Sequence, residues 1–260
     1  MTLAYAVCSV SAMPVRALPS HRSEQVSQLL LGERMEVLEI QADGWVRIMA
    51  EWDQYIGWVK EGQIQKVLYK DYKKPLRALS ASPTDVMEVP DGRFPVSPGS
   101  SLFQMKKKSF AWRPDFLYKG KKIVLADTVP SEKLVAPLAK MYMGSPYVWG
   151  GRSLSGIDCS GLTQMVYKMM NQRIPRDAYQ QAECGETVGF LQEAVCGDLA
   201  FFDNAEGRIT HVGILLDHHN IIHATETSGC VVIDAIDNGG IISRRLRMRT
   251  HNLRLVKRLL

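Results

Sequence analysis

Of the five cysteines and six histidines in this chain, Cys159 occupies the position best suited to nucleophilic chemistry. It lies in the stretch 147–161, YVWGGRSLSGIDCSG, where glycines and a Ser-Gly pair mark a loop. Directly after it, Leu162, Met165, Val166, Met169 and Met170 follow the spacing of one helical face. Cys159 is therefore predicted at a helix start, with Asp158 and Ser160 as capping types and Lys168 and Arg173 toward the far end, and the helix ends by Pro175. Unpaired N–H groups and the positive end of the helix dipole favour a thiolate, so a lowered thiol pKa is expected there.

A thiolate nucleophile needs a base that takes its proton and returns it to the leaving amine, and histidine suits both steps near neutrality. His21, His218, His219 and His251 lie in polar surroundings and read as surface residues. His211 and His223 differ, because they interrupt the apolar strands THVGI and IIHAT, where a polar ring must find a partner. Strand side chains alternate, so the two rings share a face only if the connecting loop holds an odd number of residues or a bulge shifts the register. A shared face toward Cys159 would make His211 the base and His223 the group that orients it.

The elements that must position these residues follow from periodicity. Ser131-Glu132 opens a helix with Leu134, Val135, Leu138, Met141 and Tyr142 on its buried side, and Pro137 shortens or kinks it. Beyond Gly197 the period becomes two, over 199–202, 211–216, 221–225, 231–236 and 253–259. Helices followed by strands predict an α+β domain over 128–260, a helix layer on an antiparallel sheet. Near the N-terminus, short apolar runs at 5–10, 15–18, 35–40, 46–49 and 56–59, with a hairpin signal at Asp43-Gly44, predict a small all-β barrel over 1–66. Between them, 67–127 holds Pro75, Pro83, Pro90, Pro95, Pro98 and Pro114 among short apolar runs, which suits a second, divergent all-β module.

A hydrophobic share of 46% in 260 residues excludes a disordered chain. The net charge of +5 is spread over Lys106 to Lys108, Lys119 to Lys122 and the Arg-rich end, without a nucleic-acid-binding motif. Five widely spaced cysteines, with no C-x-x-C pair, lean toward a reducing compartment and suggest no metal site; no cofactor is implied. The first twenty residues carry no basic residue ahead of their apolar run, so they read as a strand, although a chain trimmed of a secretory leader would look the same. A cytoplasmic location is expected on these grounds, periplasmic if a leader was removed. No uninterrupted apolar stretch reaches membrane-spanning length.

Taken together, YVWGG, DCSGL, GDLAFF, HVGILL and IIHAT, in this order and at these intervals, resemble the NlpC-type cell-wall cysteine peptidases, over about 131–260. The resemblance implies a papain-like fold and a triad of Cys159, His211 and His223. It also implies Tyr147, Trp149 and Ser160 near the substrate, and the Cys159 N–H as an oxyanion donor. SxxxQLLLGE followed by GWVRI and GWV resembles the bacterial SH3-like domains that accompany cell-wall enzymes. Arg176-Asp177-Ala178 together with that domain resembles the γ-D-glutamyl-L-diamino acid endopeptidases, which cut murein stem peptides bearing a free L-Ala amine. There, Asp177 and, from the first SH3-like domain, Glu24 and Tyr55 would receive the ammonium; Ala178 stands where a Ser is often found. The expected partners are these peptides and no nucleic acid, with a monomer favoured. A broader hydrolase of intact murein and a wall-binding protein with a vestigial catalytic domain remain as alternatives.

Overall fold

Apolar side chains at alternate positions form the strands expected near the N-terminus. In the computed structural model, which describes residues 1–260, these are β1 (Ala4–Cys8), β2 (Ala12–Arg16), β3 (Gln25–Leu30), β4 (Arg34–Ile40), β5 (Trp45–Ala50), β6 (Ile56–Lys60) and β7 (Ile64–Val67). They make one seven-stranded sheet in the order β3-β2-β6-β5-β4-β1-β7. Its strands send Ala6, Met13, Val15, Leu29, Met35, Val37, Val46, Ile48 and Val59 into a single core. Two of the strands were not expected: β3 buries Ser27 beside Leu29 and Leu30 and so breaks the apolar alternation, and β7 buries none of its four residues fully.

After the short helix α1 (Tyr69–Tyr72), the proline-rich stretch forms β8 (Ala78–Ser80), β9 (Val86–Val89), β10 (Gly92–Pro95), β11 (Met105–Lys106), β12 (Ser109–Phe110), β13 (Arg113–Lys119) and β14 (Lys122–Val124). These fall into a five-stranded sheet, β10-β9-β13-β12-β11, and a two-stranded pair, β14-β8. Met87, Val96, Leu102, Phe110, Phe116 and Tyr118 form their core. Five of the six prolines sit where a missing N–H costs little, Pro95 at the end of the edge strand β10 and Pro75, Pro83, Pro90 and Pro98 outside strands, while Pro114 is the second residue of β13, beside the register shift against β12.

The chain divides into two compact units, Met1–Thr128 with Trp149–Ser153, and Val129–Val148 with Leu154–Leu260. The second contains α2 (Glu132–Lys140), which runs through Pro137, and, after the two-residue strands β15 (Arg152–Ser153) of the first unit and β16 (Gly156–Ile157), the helices α3 (Cys159–Met169) and α4 (Ala178–Gln181). Next come β17 (Glu186–Val188), β18 (Leu199–Asp203), β19 (Ile209–Asp217), β20 (Asn220–Thr225), β21 (Cys230–Asp237), β22 (Gly240–Ser243) and β23 (Met248–Arg258). Their order is β17-β23-β18-β19-β20-β21-β22, and β22 also pairs with β23. The sheet thereby closes on itself, a closure that alternation along single strands does not specify. Strand β22 was not expected, and its first residue explains how it fits. Gly240 has φ +125°, and a Cβ there would lie 1.9 Å from the His251 carbonyl oxygen, so only glycine lets β22 approach β23.

Helix α3 lies against β19 and β20, α2 packs on α3, and α4 packs on α3 and β19. The β19–β20 hairpin resolves the face of the two histidines. Asp217 pairs with Asn220, leaving a two-residue loop that alone would set His211 and His223 on opposite faces. A register shift between Leu215 and Asp217 inserts one residue, and the two side chains meet. Gly213 stands across from His223, where a Cβ would come within 3.0 Å of the His223 Cβ and 2.6 Å of Ile221. No helix is long and apolar enough to cross a membrane.

Candidate active site

At the start of α3, Asp158 has extended backbone and caps the helix, accepting the Gly161 N–H at 2.7 Å. Arg176 grips this cap from the loop after the helix. Its guanidinium donates to the two carboxylate oxygens of Asp158 at 3.0 and 2.6 Å and to the Ser160 hydroxyl at 2.8 Å. All three residues are buried. Gln181 of α4 completes the support, donating to the Ser160 and Pro175 carbonyls and accepting the Thr163 hydroxyl. Ser160 therefore turns its hydroxyl toward Asp158 and Arg176, and Lys168 lies in the last turn as the dipole favours.

Cys159 is 6% exposed, and its thiol departs from the sequence expectation. Burial, then the neighbouring Asp158 carboxylate, pushes it up to about 12, against the lowering by backbone N–H groups of Val212 and Ser160 and by Arg176. Desolvation of the charged form outweighs the helix terminus. The resting group is a neutral thiol. The hydrogen bond from Val212 also locates the sulfur, since Val212 follows His211 directly on β19.

His211 and His223 touch ring to ring, with His211 Nε2 and His223 Nδ1 2.9 Å apart, and both are buried. Burial first, and then the proximity of His223 and His251, holds His211 well below the usual imidazole range. On its far side, His223 Nε2 lies 3.2 Å from Asp234 Oδ2. His251 corrects another expectation. Far from being a surface residue, its ring stacks on His211 with centroids 4.2 Å apart and an interplanar angle of 24°. Burial, followed by the proximity of His223, lowers it to about 4. Neither Asp234 nor His251 was singled out from the sequence. The one available signal was an acid inside the apolar run VVIDAI, since a buried carboxylate must have a partner.

Tyr147 is half-buried, and burial, then the proximity of Cys159 and Asp158, raises its phenol, which keeps the proton as a donor. Asp177 caps α4 with its backbone and is half-buried. The remaining residues singled out from the sequence belong to the first unit. There, the Trp149 indole N–H donates to Glu24 Oε1 at 2.6 Å, and the Trp149 carbonyl accepts from Gln25 at 3.0 Å. Both Trp149 and Glu24 are exposed, while Tyr55 is half-buried against the core of the seven-stranded sheet. Nearby, buried Arg152 forms a bidentate ion pair with Glu33 at 2.7 and 3.0 Å.

Comparison with known proteins bears on both units. Residues 144–250 match the NlpC/P60 family, and 143 residues are 33% identical to a probable endopeptidase of Haemophilus influenzae, covering 85% of that protein and 54% of this chain. The chain belongs to the NlpC/P60 family. It is thus a cell-wall-type cysteine peptidase, a hydrolase, with an SH3-like domain at its N-terminal side: residues 15–64 match the bacterial dipeptidyl-peptidase SH3 domain. A γ-D-glutamyl-L-lysine dipeptidyl-peptidase of Bacillus cereus is 28% identical over 244 residues, covering 83% of this chain and 72% of that protein. A crystal structure of an NlpC/P60 family protein from Bacillus cereus has the same fold, with a TM-score of 0.78 and 21% identity over 98% of this chain and 99% of that one.

Proposed function

We propose that this NlpC/P60 peptidase hydrolyses the amide between γ-D-Glu and an L-diamino acid, meso-diaminopimelate or Lys, in murein stem peptides whose L-Ala amine is free, as a step in cell-wall peptide recycling. The observation that carries the chemistry is the His211–His223 contact on a strand whose next backbone N–H reaches the Cys159 sulfur. The substrate rests on the likeness to relatives named γ-D-glutamyl-L-lysine dipeptidyl-peptidase.

Cys159, His211 and His223 form the triad of a papain-like site. The thiol is neutral at rest, so its proton passes to His211 as the sulfur attacks the γ-carbonyl carbon. The oxyanion is held by the Cys159 N–H at the helix start, with the protonated Tyr147 hydroxyl as a further donor. The C–N bond then breaks, the diamino acid's amine takes the proton from His211, and a thioester remains on Cys159. Water attacks the thioester with His211 again as base, and the sulfur departs with the proton. A desolvated ammonium needs a carboxylate beside it, the role assigned within the catalytic unit to Asp177.

Incubation with L-Ala-γ-D-Glu-meso-diaminopimelate and its N-acetylated form, read by mass spectrometry, tests this reading. The free peptide is cut to L-Ala-D-Glu and diaminopimelate, and the acetylated one is spared. Equal cleavage of both removes the amine requirement. Undiminished activity of Cys159→Ala removes the nucleophile.

A further inference from the structure

The two imidazoles form part of a longer chain of contacts whose far end is a carboxylate. Asp234 is 3% exposed and has two donors in front of it. Its Oδ1 accepts the backbone N–H of Arg244 at 2.8 Å, and its Oδ2 faces His223 Nε2 at 3.2 Å. Burial alone would raise its pKa, but the His223 and Arg244 hydrogen bonds outweigh this and hold the carboxyl below its usual range. It is an anion near neutrality, able only to accept.

That fact propagates. Facing an acceptor, His223 Nε2 carries a proton, so in the neutral ring Nδ1 offers a lone pair. The 2.9 Å contact then requires the proton on His211 Nε2. His211 is in turn left with its lone pair on Nδ1, the nitrogen not engaged by His223. We propose that Asp234 is a positioning residue that fixes the tautomers of both imidazoles, leaving His211 Nδ1 as the base for the Cys159 thiol. The catalytic consequence rests on the peptidase reading above; the tautomers do not.

Asp234→Asn is a sharp test because asparagine has one acceptor oxygen where two donors converge. The Arg244 N–H is backbone and cannot lose its proton, so the oxygen stays there and the amide NH₂ turns to His223 Nε2. His223 must then hold its proton on Nδ1, and His211 must accept at Nε2 and carry its proton on Nδ1, where it blocks the base. In ¹⁵N-histidine-labelled protein, long-range ¹H–¹⁵N spectra of the wild type should show both rings as Nε2–H, and of Asp234→Asn both as Nδ1–H. Cleavage of L-Ala-γ-D-Glu-meso-diaminopimelate should fall by about 10³- to 10⁴-fold in kcat, the scale of a wrong-tautomer defect in other triads. In a His223→Asn background, where an amide oxygen accepts from His211 without a tautomer to set, adding Asp234→Asn should cost less than about tenfold.

An Nδ1–H His211 in the wild-type spectrum overturns the proposal without any variant. Unchanged tautomers in Asp234→Asn, or equal losses in both backgrounds, overturn it too. If the wild type fails to cut the peptide, the peptidase reading falls while the spectra still decide the role of Asp234.

Discussion

Replacing Arg176 by Met should destabilise the catalytic unit more than any surface change could. Arg176 and Asp158 form an ion pair whose side chains are 1% and 7% exposed, and the guanidinium makes two charged hydrogen bonds to the carboxylate and a third to Ser160. Removing one partner of such a pair leaves a buried charge and typically costs about 3–5 kcal/mol. For a cooperative unit of this size that corresponds to a fall in Tm of roughly 10–20 °C, read by calorimetry. The cost is one of orphaned charge, so Asp158→Asn in the same chain should restore at least about 2 kcal/mol, because Asn still accepts the Gly161 N–H. Activity should not recover alongside, since Arg176 also holds the Ser160 hydroxyl in place beside Cys159. A single variant melting within about 2 °C of wild type, or a double variant no more stable than Arg176→Met, would refute this account of the helix start.

The other expectations concern the thiol, the histidines and the glycine between them. Because Cys159 is pushed up to about 12, alkylation by iodoacetamide should accelerate steadily from about pH 7 to about pH 10. A plateau below neutrality would mean that a thiolate–imidazolium pair exists at rest. His251 titrates near 6.5 when unfolded and at about 4 in the fold, so the unfolded chain binds more protons in this window and stability falls as the solution is acidified through it. After discounting for the ring's partial exposure, the loss is about 1–2 kcal/mol. Urea midpoints should show it, and His251→Phe, which keeps the stack but cannot be charged, should flatten that part of the profile; an unchanged slope counts against the assignment. Gly213→Val would place a Cβ 2.6 Å from Ile221 and 3.0 Å from the His223 Cβ, costing about 1–3 kcal/mol. It should also displace the His223 ring, so cleavage should fall further than the stability loss accounts for; full activity at the same stability would contradict that.

Short-range chemistry made Cys159, its helix and the two histidine strands legible in the sequence. A capping Asp, a glycine-rich loop and an apolar 3.6-residue period act within a few residues of one another, and a histidine in an apolar strand stands out because its desolvation must be compensated. The strands of the seven-stranded sheet were read for the same reason, apart from β3, whose buried Ser27 breaks the pattern, and β7, which buries none of its four residues fully. What escaped depended on residues far apart in the chain. The bulge after Leu215 turns His211 and His223 to one face, although a two-residue loop alone predicts opposite faces. Closure of β22 on β23 brings His251 onto His211, and β21 sets Asp234 behind His223, from positions with no local mark of a role. Burial, too, is a property of the assembled unit: the sequence determined where a nucleophile could stand, but the packing around Cys159 decided that its thiol rests protonated, because desolvating a charge outweighs the field of one helix end.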